Sequence, residues 1–103
     1  MLEVIIKDEK SAILIPPGSI DIRNSAELKD CLGKLVDEGF LYVEVDFSNV
    51  EVVDSTALGR LLLCHKHLKD KGGFLKIIKV SSDYVEKIFE TIRLSKVLEY
   101  ERV

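Results

Sequence analysis

Residues 54–59 read Asp54-Ser55-Thr56-Ala57-Leu58-Gly59, a carboxylate and two adjacent hydroxyls where an apolar segment gives way to a helical pattern. Residues that open a helix carry backbone N–H groups with no intrahelical acceptor, and the helix dipole adds partial positive charge there. A hydroxyl at that place can carry or contact an anion. Asp, Ser and Thr are also good helix caps, so the same run is compatible with a purely architectural role. Nucleophilic catalysis by Ser55 fits poorly. A serine nucleophile needs a base within hydrogen-bond reach, and the two histidines, His65 and His67, fall roughly 15 Å along the same helix at 1.5 Å per residue. The chain has no Gly-x-x-x-x-Gly-Lys phosphate loop. His65 and His67 at i, i+2 face different sides of a helix, and Cys31 and Cys64 stand alone without a Cys-x-x-Cys. The expectation is therefore no metal, no cofactor and no enzymatic activity.

Composition narrows the classes further. At 103 residues the chain suits one domain, and 47% hydrophobic with 32% charged residues is the balance of a globular protein. The net charge is −3, and Lys and Arg are spread among acids rather than clustered, which argues against a nucleic-acid partner. No apolar run approaches a membrane span, and the start, Met1-Leu-Glu-Val-Ile-Ile-Lys7, lacks the features of a leader. These observations predict no membrane association and a cytoplasmic protein, with both cysteines free and buried.

Hydrophobic periodicity supplies the elements that must position the 54–59 run. Strands are expected at Leu2–Lys7 and Ala12–Ile15, joined through Asp8-Glu9-Lys10-Ser11 as an opening hairpin, with Pro16-Pro17-Gly18 ending the second. A helix follows over Ser25–Glu38. Asn24 with Glu27 three residues on resembles a capping box, Leu28, Cys31, Leu32 and Leu35 keep helical spacing, and Gly39 closes it. Leu41–Phe47 alternates as a third strand. The second helix spans Ser55–Lys71 before Gly72-Gly73, and Phe74–Ile78 is a fourth strand. Val85, Ile88, Phe89 and Ile92 form one stripe on a third helix over Ser82–Ile92, and Val97–Tyr100 adds a short edge strand. Strands alternating with helices after a hairpin predict a mixed sheet covered by helices, with right-handed crossovers.

Turning each residue by 100° sorts the second helix into two faces. Ala57, Leu58, Leu61, Leu62, Cys64 and Leu68, with His65, gather on the side that packs against the sheet. Ser55, Gly59, Leu63, Lys66 and Asp70 gather on the other. A glycine inside a helix costs about 1 kcal/mol against alanine, so Gly59 asks for a reason: close internal packing or close approach of a partner. A single exposed Leu such as Leu63 on that polar face is ordinary, but beside Gly59 it also suits a surface where another protein can lie close.

The run Asp54-Ser-Thr-Ala-Leu-Gly59, following an apolar strand and opening a Leu-rich helix, resembles the signature of bacterial anti-sigma factor antagonists, the STAS domain family. Gly18-Ser-Ile-Asp21 ahead of Ala26-Glu27-Leu28 resembles the family's second motif. Gly72-Gly73-Phe74-Leu75 and the amphipathic third helix followed by Leu94 also fit, so the resemblance covers essentially the whole chain. It implies a single STAS-like α/β domain over residues 1–103, a mixed four- to five-stranded sheet opening with a β-hairpin and covered by amphipathic helices. It further implies that Ser55 is phosphorylated by an anti-sigma factor acting as an ATP-dependent serine kinase, with Thr56 as the alternative acceptor. Asp21 corresponds to the family's acidic loop residue near that serine. Asp21, Asp54, Ser55, Thr56, Gly59, Leu63 and Lys66 form the implied partner-binding surface. The unphosphorylated protein would sequester the anti-sigma factor and free a sigma factor for transcription, and a metal-dependent serine phosphatase would restore it. Thr56 and Ala57 stand where many members have Ser and Gly. The other role the resemblance implies is a STAS subunit of a different assembly, a lipid-transport complex or a stress-signalling scaffold, with no phosphorylation cycle.

A phosphate at Ser55 would add roughly −1.5 to −2 charges, favoured by the helix N-terminus and opposed by Asp54 and by Asp21 if the fold brings them together.

Overall fold

The computed structural model describes residues 2–103. In chain order the elements are β1 (Glu3–Ile6), β2 (Ser11–Ile15), β3 (Ser19–Ile20), α1 (Ser25–Asp37), β4 (Tyr42–Asp46), β5 (Val52–Val53), α2 (Ser55–Asp70), β6 (Phe74–Val80), α3 (Asp83–Thr91), a 3-10 turn (Leu94–Lys96) and β7 (Tyr100–Arg102). The main sheet has the order β1-β2-β4-β6-β7. The β1–β2 hairpin is antiparallel and every later neighbour is parallel. This is the predicted mixed sheet behind an opening hairpin.

Parallel neighbours need long crossovers, and here α1, α2 and α3 supply them. Each crossover steps one strand further in the same direction, so a common right-handed sense places all three helices on one face of the sheet. Side-chain alternation follows from that. Ala12 and Leu14, Val43 and Val45, Leu75 and Ile77 point to the helical side and are buried, meeting Leu28, Leu32, Leu61, Leu68, Val85 and Phe89. Phe89 joins the layers at one end, its ring 5.8 Å from Phe47 and 5.0 Å from Tyr100. The opposite face carries Ile5, Ile13, Tyr42, Glu44, Phe74 and Lys76. It is held by cross-strand pairs: Lys7 with Glu44 at 3.2 Å, Lys76 between Glu99 and Glu101, and Tyr42 against Phe74.

Five local expectations are corrected. Asn24 stands at the start of α1 but does not cap it; its Oδ1 accepts from the Asp21 N–H at 2.9 Å and its Nδ2 donates to the Ser19 carbonyl at 2.7 Å. The capping box does not form because the loop before the helix takes the side chain first. Second, β3 and β5, unexpected from the sequence, pair in parallel as a separate two-stranded ribbon. Third, Asp46 is buried despite the alternation of its strand, its Oδ1 accepting from the Ser48 N–H at 2.8 Å. Fourth, Ile92 ends α3 as an exposed cap residue, leaving Val85 and Phe89 as the buried pair. Fifth, the last strand starts at Tyr100 rather than Val97, because a 3-10 turn buries Leu94 and sets Leu98 into the core.

His65 is explained by the sheet edge. Ile77 N–H donates to Glu99 across to β7, so the Leu75 N–H two residues earlier points to the same side, where β7 no longer reaches. His65 Nδ1 accepts that orphan donor at 3.0 Å. Burial, reinforced by Lys69, holds the imidazole below its ordinary value of 6.5. The unfolded chain therefore binds the proton more readily, so this contribution is complete above about pH 6.5 and lost as pH falls through the lower folded value. A His65→Gln variant should lose less stability than the native chain between about pH 7 and about pH 5 in thermal melts.

Gly72 and Gly73 end α2 and turn it into β6. Gly72 adopts φ +90, and the Gly73 N–H donates to the Leu68 carbonyl at 2.8 Å, a Schellman-type closure. A Cβ on Gly73 would lie 2.0 Å from the Leu41 carbonyl oxygen, inside the backbone of the β4 entrance. Gly73→Ala should cost about 2–4 kcal/mol, read from urea denaturation midpoints.

Candidate functional site

Because β2, β4 and β6 run parallel, the segments leading into α1, α2 and α3 leave the same, carboxyl-terminal end of the sheet. Asp54 is the pin that joins the first two. It sits at the N-cap of α2 with extended backbone, and its Oδ1 accepts from the Ala57 N–H at 2.9 Å. Its Oδ2 accepts from the Ile22 N–H, also at 2.9 Å. Its own N–H donates to the Ile20 carbonyl at 3.1 Å, continuing the β3–β5 ribbon. One carboxylate thus caps the helix and fixes the 18–24 loop against it, bringing Asp21 and Ser55 to the same end of the molecule.

The capping role therefore falls to Asp54, which leaves the hydroxyls of Ser55 and Thr56 outside it. Ser55 is the first residue of the helix and is exposed, while Thr56 is half-buried. The first turn of α2 contains no acidic residue. Asp21 is not a bare charge: its Oδ1 accepts from the Arg23 backbone N–H at 2.9 Å and from Arg23 Nε at 3.0 Å, and Oδ2 pairs with Nη2. The Arg23 side chain holds the Asp21 carboxyl below the usual carboxylate range. The repulsion expected between Asp21 and a phosphate at Ser55 is correspondingly reduced by Arg23. The start of α3 is tied into the same end, where Ser82 Oγ accepts from the Val85 N–H and donates to the Glu51 carbonyl.

Along α2, Ser55, Gly59, Leu63 and Lys66 form one exposed stripe, as the helical rotation predicts, and Ala57, Leu58, Leu61, Cys64 and Leu68 are buried on the other side. The structure decides the question of Gly59. A Cβ built there meets nothing within 4 Å, so no internal contact requires glycine at that position. Beside the stripe, a cleft of about 560 Å³ opens between α1 and α2, with Leu32, Gly33, Arg60 and Leu63 among its walls. The thiols are not nucleophiles in waiting: Cys31 is half-buried and Cys64 buried, and burial pushes the Cys64 thiol up to about 11. Among the described residues, no group of three His, Cys, Asp or Glu side chains could hold a metal ion. Among the described residues, no helix is long and apolar enough to cross a membrane.

Two residues at this end escaped the sequence reading. Ile22 is 72% exposed at the loop tip although its backbone is held by Asp54. Arg23 is the exposed partner of Asp21. The signal for both was an apolar residue and a cation directly after Asp21, in a loop whose neighbour across the fold could not be read from the chain.

Residues 3–102 match the STAS domain family. The chain belongs to that family. The fold of an anti-sigma factor antagonist from Mycobacterium paratuberculosis superposes with a TM-score of 0.86 at 18% identity, covering 100% of this chain and 86% of that one. The unphosphorylated form of the anti-sigma factor antagonist SpoIIAA gives 0.84 at 14% identity over 98% of this chain and 88% of that one. A sulfate transporter family protein from Wolinella succinogenes gives 0.73 at 18% identity over 90% and 78%. At these identities the likeness is one of fold. The STAS fold of this chain is thus shared by antagonists and by a transporter family protein.

Removing the Asp54 carboxylate should act on both elements that it joins. Asp54→Ala should lower stability by about 1–2 kcal/mol, the range of a lost helix cap. In amide NMR spectra the Ile22 and Ala57 signals should move together, which a purely local cap would not produce.

Proposed function

We propose that this STAS domain is an anti-sigma factor antagonist, a phosphorylatable binding module without catalytic activity of its own. In this reading the unphosphorylated chain sequesters an anti-sigma factor with serine-kinase activity and so frees a sigma factor. Phosphorylation of Ser55 switches the interaction off, and a metal-dependent serine phosphatase restores it. The observation that carries the reading is the division of labour at the start of α2: Asp54 caps the helix, and Ser55 stands exposed beside it. Thr56, half-buried, is the poorer acceptor for an incoming kinase.

The electrostatics support a switch that works at the interface rather than by unfolding. The helix N-terminus favours a dianion at Ser55, so the fold tolerates the modification. A partner docking on that surface must desolvate the phosphate or lose the contact. Ile22 beside Ser55, and Gly59, Leu63 and Lys66 further along α2, give the partner apolar area, close approach and charge. With Asp21 and Arg23 they make up the proposed contact surface.

The alternative reading is a STAS subunit of a lipid-transport complex or a stress-signalling scaffold, which uses the same surface without a phosphorylation cycle. It rests on the occurrence of this fold in a transporter family protein. A pull-down that recovers transporter subunits and no kinase would favour it.

Incubation with the cognate kinase and ATP should place phosphate on Ser55 by mass spectrometry, and Ser55→Ala should abolish it. Modification that persists in Ser55→Ala overturns the assignment. Ser55→Asp should weaken anti-sigma factor binding at least about tenfold, close to 1.4 kcal/mol. Gly59→Ala makes a separate test: it should stabilise the free chain by up to about 1 kcal/mol while weakening partner binding, because it fills space that only a partner uses.

A further inference from the structure

Of the two edges of the main sheet, β1 and β7, β1 is exposed at all four of its residues: Val4 at 36%, Ile5 at 44% and Ile6 at 55%, with Glu3 before them. An exposed apolar edge strand is a template for pairing with another chain. The hydrogen-bonding phase of this edge can be read from the hairpin. The Lys7 N–H donates to the Ser11 carbonyl at 2.9 Å, and the register places Ile5 opposite Ile13 and Glu3 opposite Ile15. Antiparallel ladders alternate, so Glu3, Ile5 and Lys7 direct their backbone groups inward to β2, while the N–H and C=O of Val4 and Ile6 point away from the sheet.

From this geometry we infer that β1 is a homodimerisation edge, pairing antiparallel with β1 of a second copy about a two-fold axis at Ile5. The register follows from the two outward-pointing residues. Val4 of one copy bonds with Ile6 of the other, and Ile6 with Val4, giving four backbone hydrogen bonds. Ile5 then faces Ile5, and Glu3 faces Lys7 twice. The side chains of residues 3, 5 and 7 lie on the open face of the sheet, and Lys7 reaches Glu44 there. These facing pairs are of the non-hydrogen-bonded type, with Cα atoms about 4.5 Å apart, where opposite charges attract most effectively. An ammonium has three donors, so Lys7 can hold Glu44 and the second copy's Glu3 together.

Self-complementarity is what commits the edge to a second copy rather than to another protein. In the sequence Glu3-Val4-Ile5-Ile6-Lys7, reversal about Ile5 exchanges an acid with a base and an aliphatic residue with an aliphatic residue. On the helical side Val4 and Ile6 are exposed, so among the described residues no helix covers the edge and blocks pairing. The two sheets would run on as one ten-stranded sheet with both helical layers on the same face. The surface at the start of α2 takes no part in the pairing.

The test is sedimentation velocity from micromolar to millimolar concentration, with the mass rising from 11.6 kDa towards twice that value. Lys7→Glu sets two pairs of like charges face to face and should raise the dissociation constant about tenfold or more. The double variant Glu3→Lys/Lys7→Glu restores opposite charges and should recover the native constant, although Glu44 has then lost its partner in both variants. In amide exchange, Val4 and Ile6 should gain protection with concentration, while Glu3 and Ile5, already bonded to β2, should not. A native chain that stays at 11.6 kDa throughout overturns the inference, including the case in which the edge is reserved for a different protein. A dimer indifferent to both charge variants overturns it equally.

Discussion

Three neighbouring parallel strands, β2, β4 and β6, impose most of what this molecule can be. A parallel step cannot be closed by a tight turn, so every step requires a crossover, and each crossover here carries a helix. The steps all go one way and share one hand, so the helices collect on one face and leave the other open. The same constraint delivers the lead-ins to all three helices to the carboxyl-terminal end of the sheet. Residues far apart in sequence, Asp21, Ser55 and Ser82, lie at that one end because strand direction leaves the lead-ins to the helices nowhere else to go.

Within that end, the Asp54 carboxylate turns proximity into a defined surface. Its two oxygens serve two different backbone donors, Ala57 in α2 and Ile22 in the preceding loop. A single oxygen would cap the helix without tying the loop to it. With both used, the Ile22 side chain is exposed on a fixed backbone, and Ser55 is spared from capping. The loop is held further by Asn24, which gives up the cap of α1 to bind Asp21 and Ser19. Arg23 then matches the Asp21 charge, so of the two carboxylates expected near Ser55 only Asp54, bonded to backbone N–H groups, is without a cation.

The two surfaces proposed as interfaces differ in character. The stripe on α2 is a mixed surface of hydroxyl, glycine, leucine and lysine, suited to an interface that must be made and broken. The β1 edge offers backbone hydrogen bonds and a symmetric charge pattern, suited to one partner in one register. Their separation on the fold, one along a helix and one at the sheet margin, allows each to be occupied independently.

Much of this was legible in the chain. Periodicity located the hairpin, three helices and the principal strands because each buries one face, and burial is written into residue type at intervals of two or 3.6. The rotation of α2 separated Ser55, Gly59, Leu63 and Lys66 from the core for the same reason. The resemblance of the Asp54–Gly59 run singled out the end of the molecule where the loops converge. The β3–β5 ribbon was not legible, because two-residue strands have no period. Nor was the fate of Asn24 or Asp54, since Asp, Asn, Ser and Thr all cap helices and only the position of a second donor selects among them. Sequence determined which residues face inward and which open a helix. The tertiary fold alone decided which carboxylate caps, which cation neutralises Asp21, and that nothing inside the protein needs Gly59. Those outcomes depend on distances between segments that the chain order does not contain.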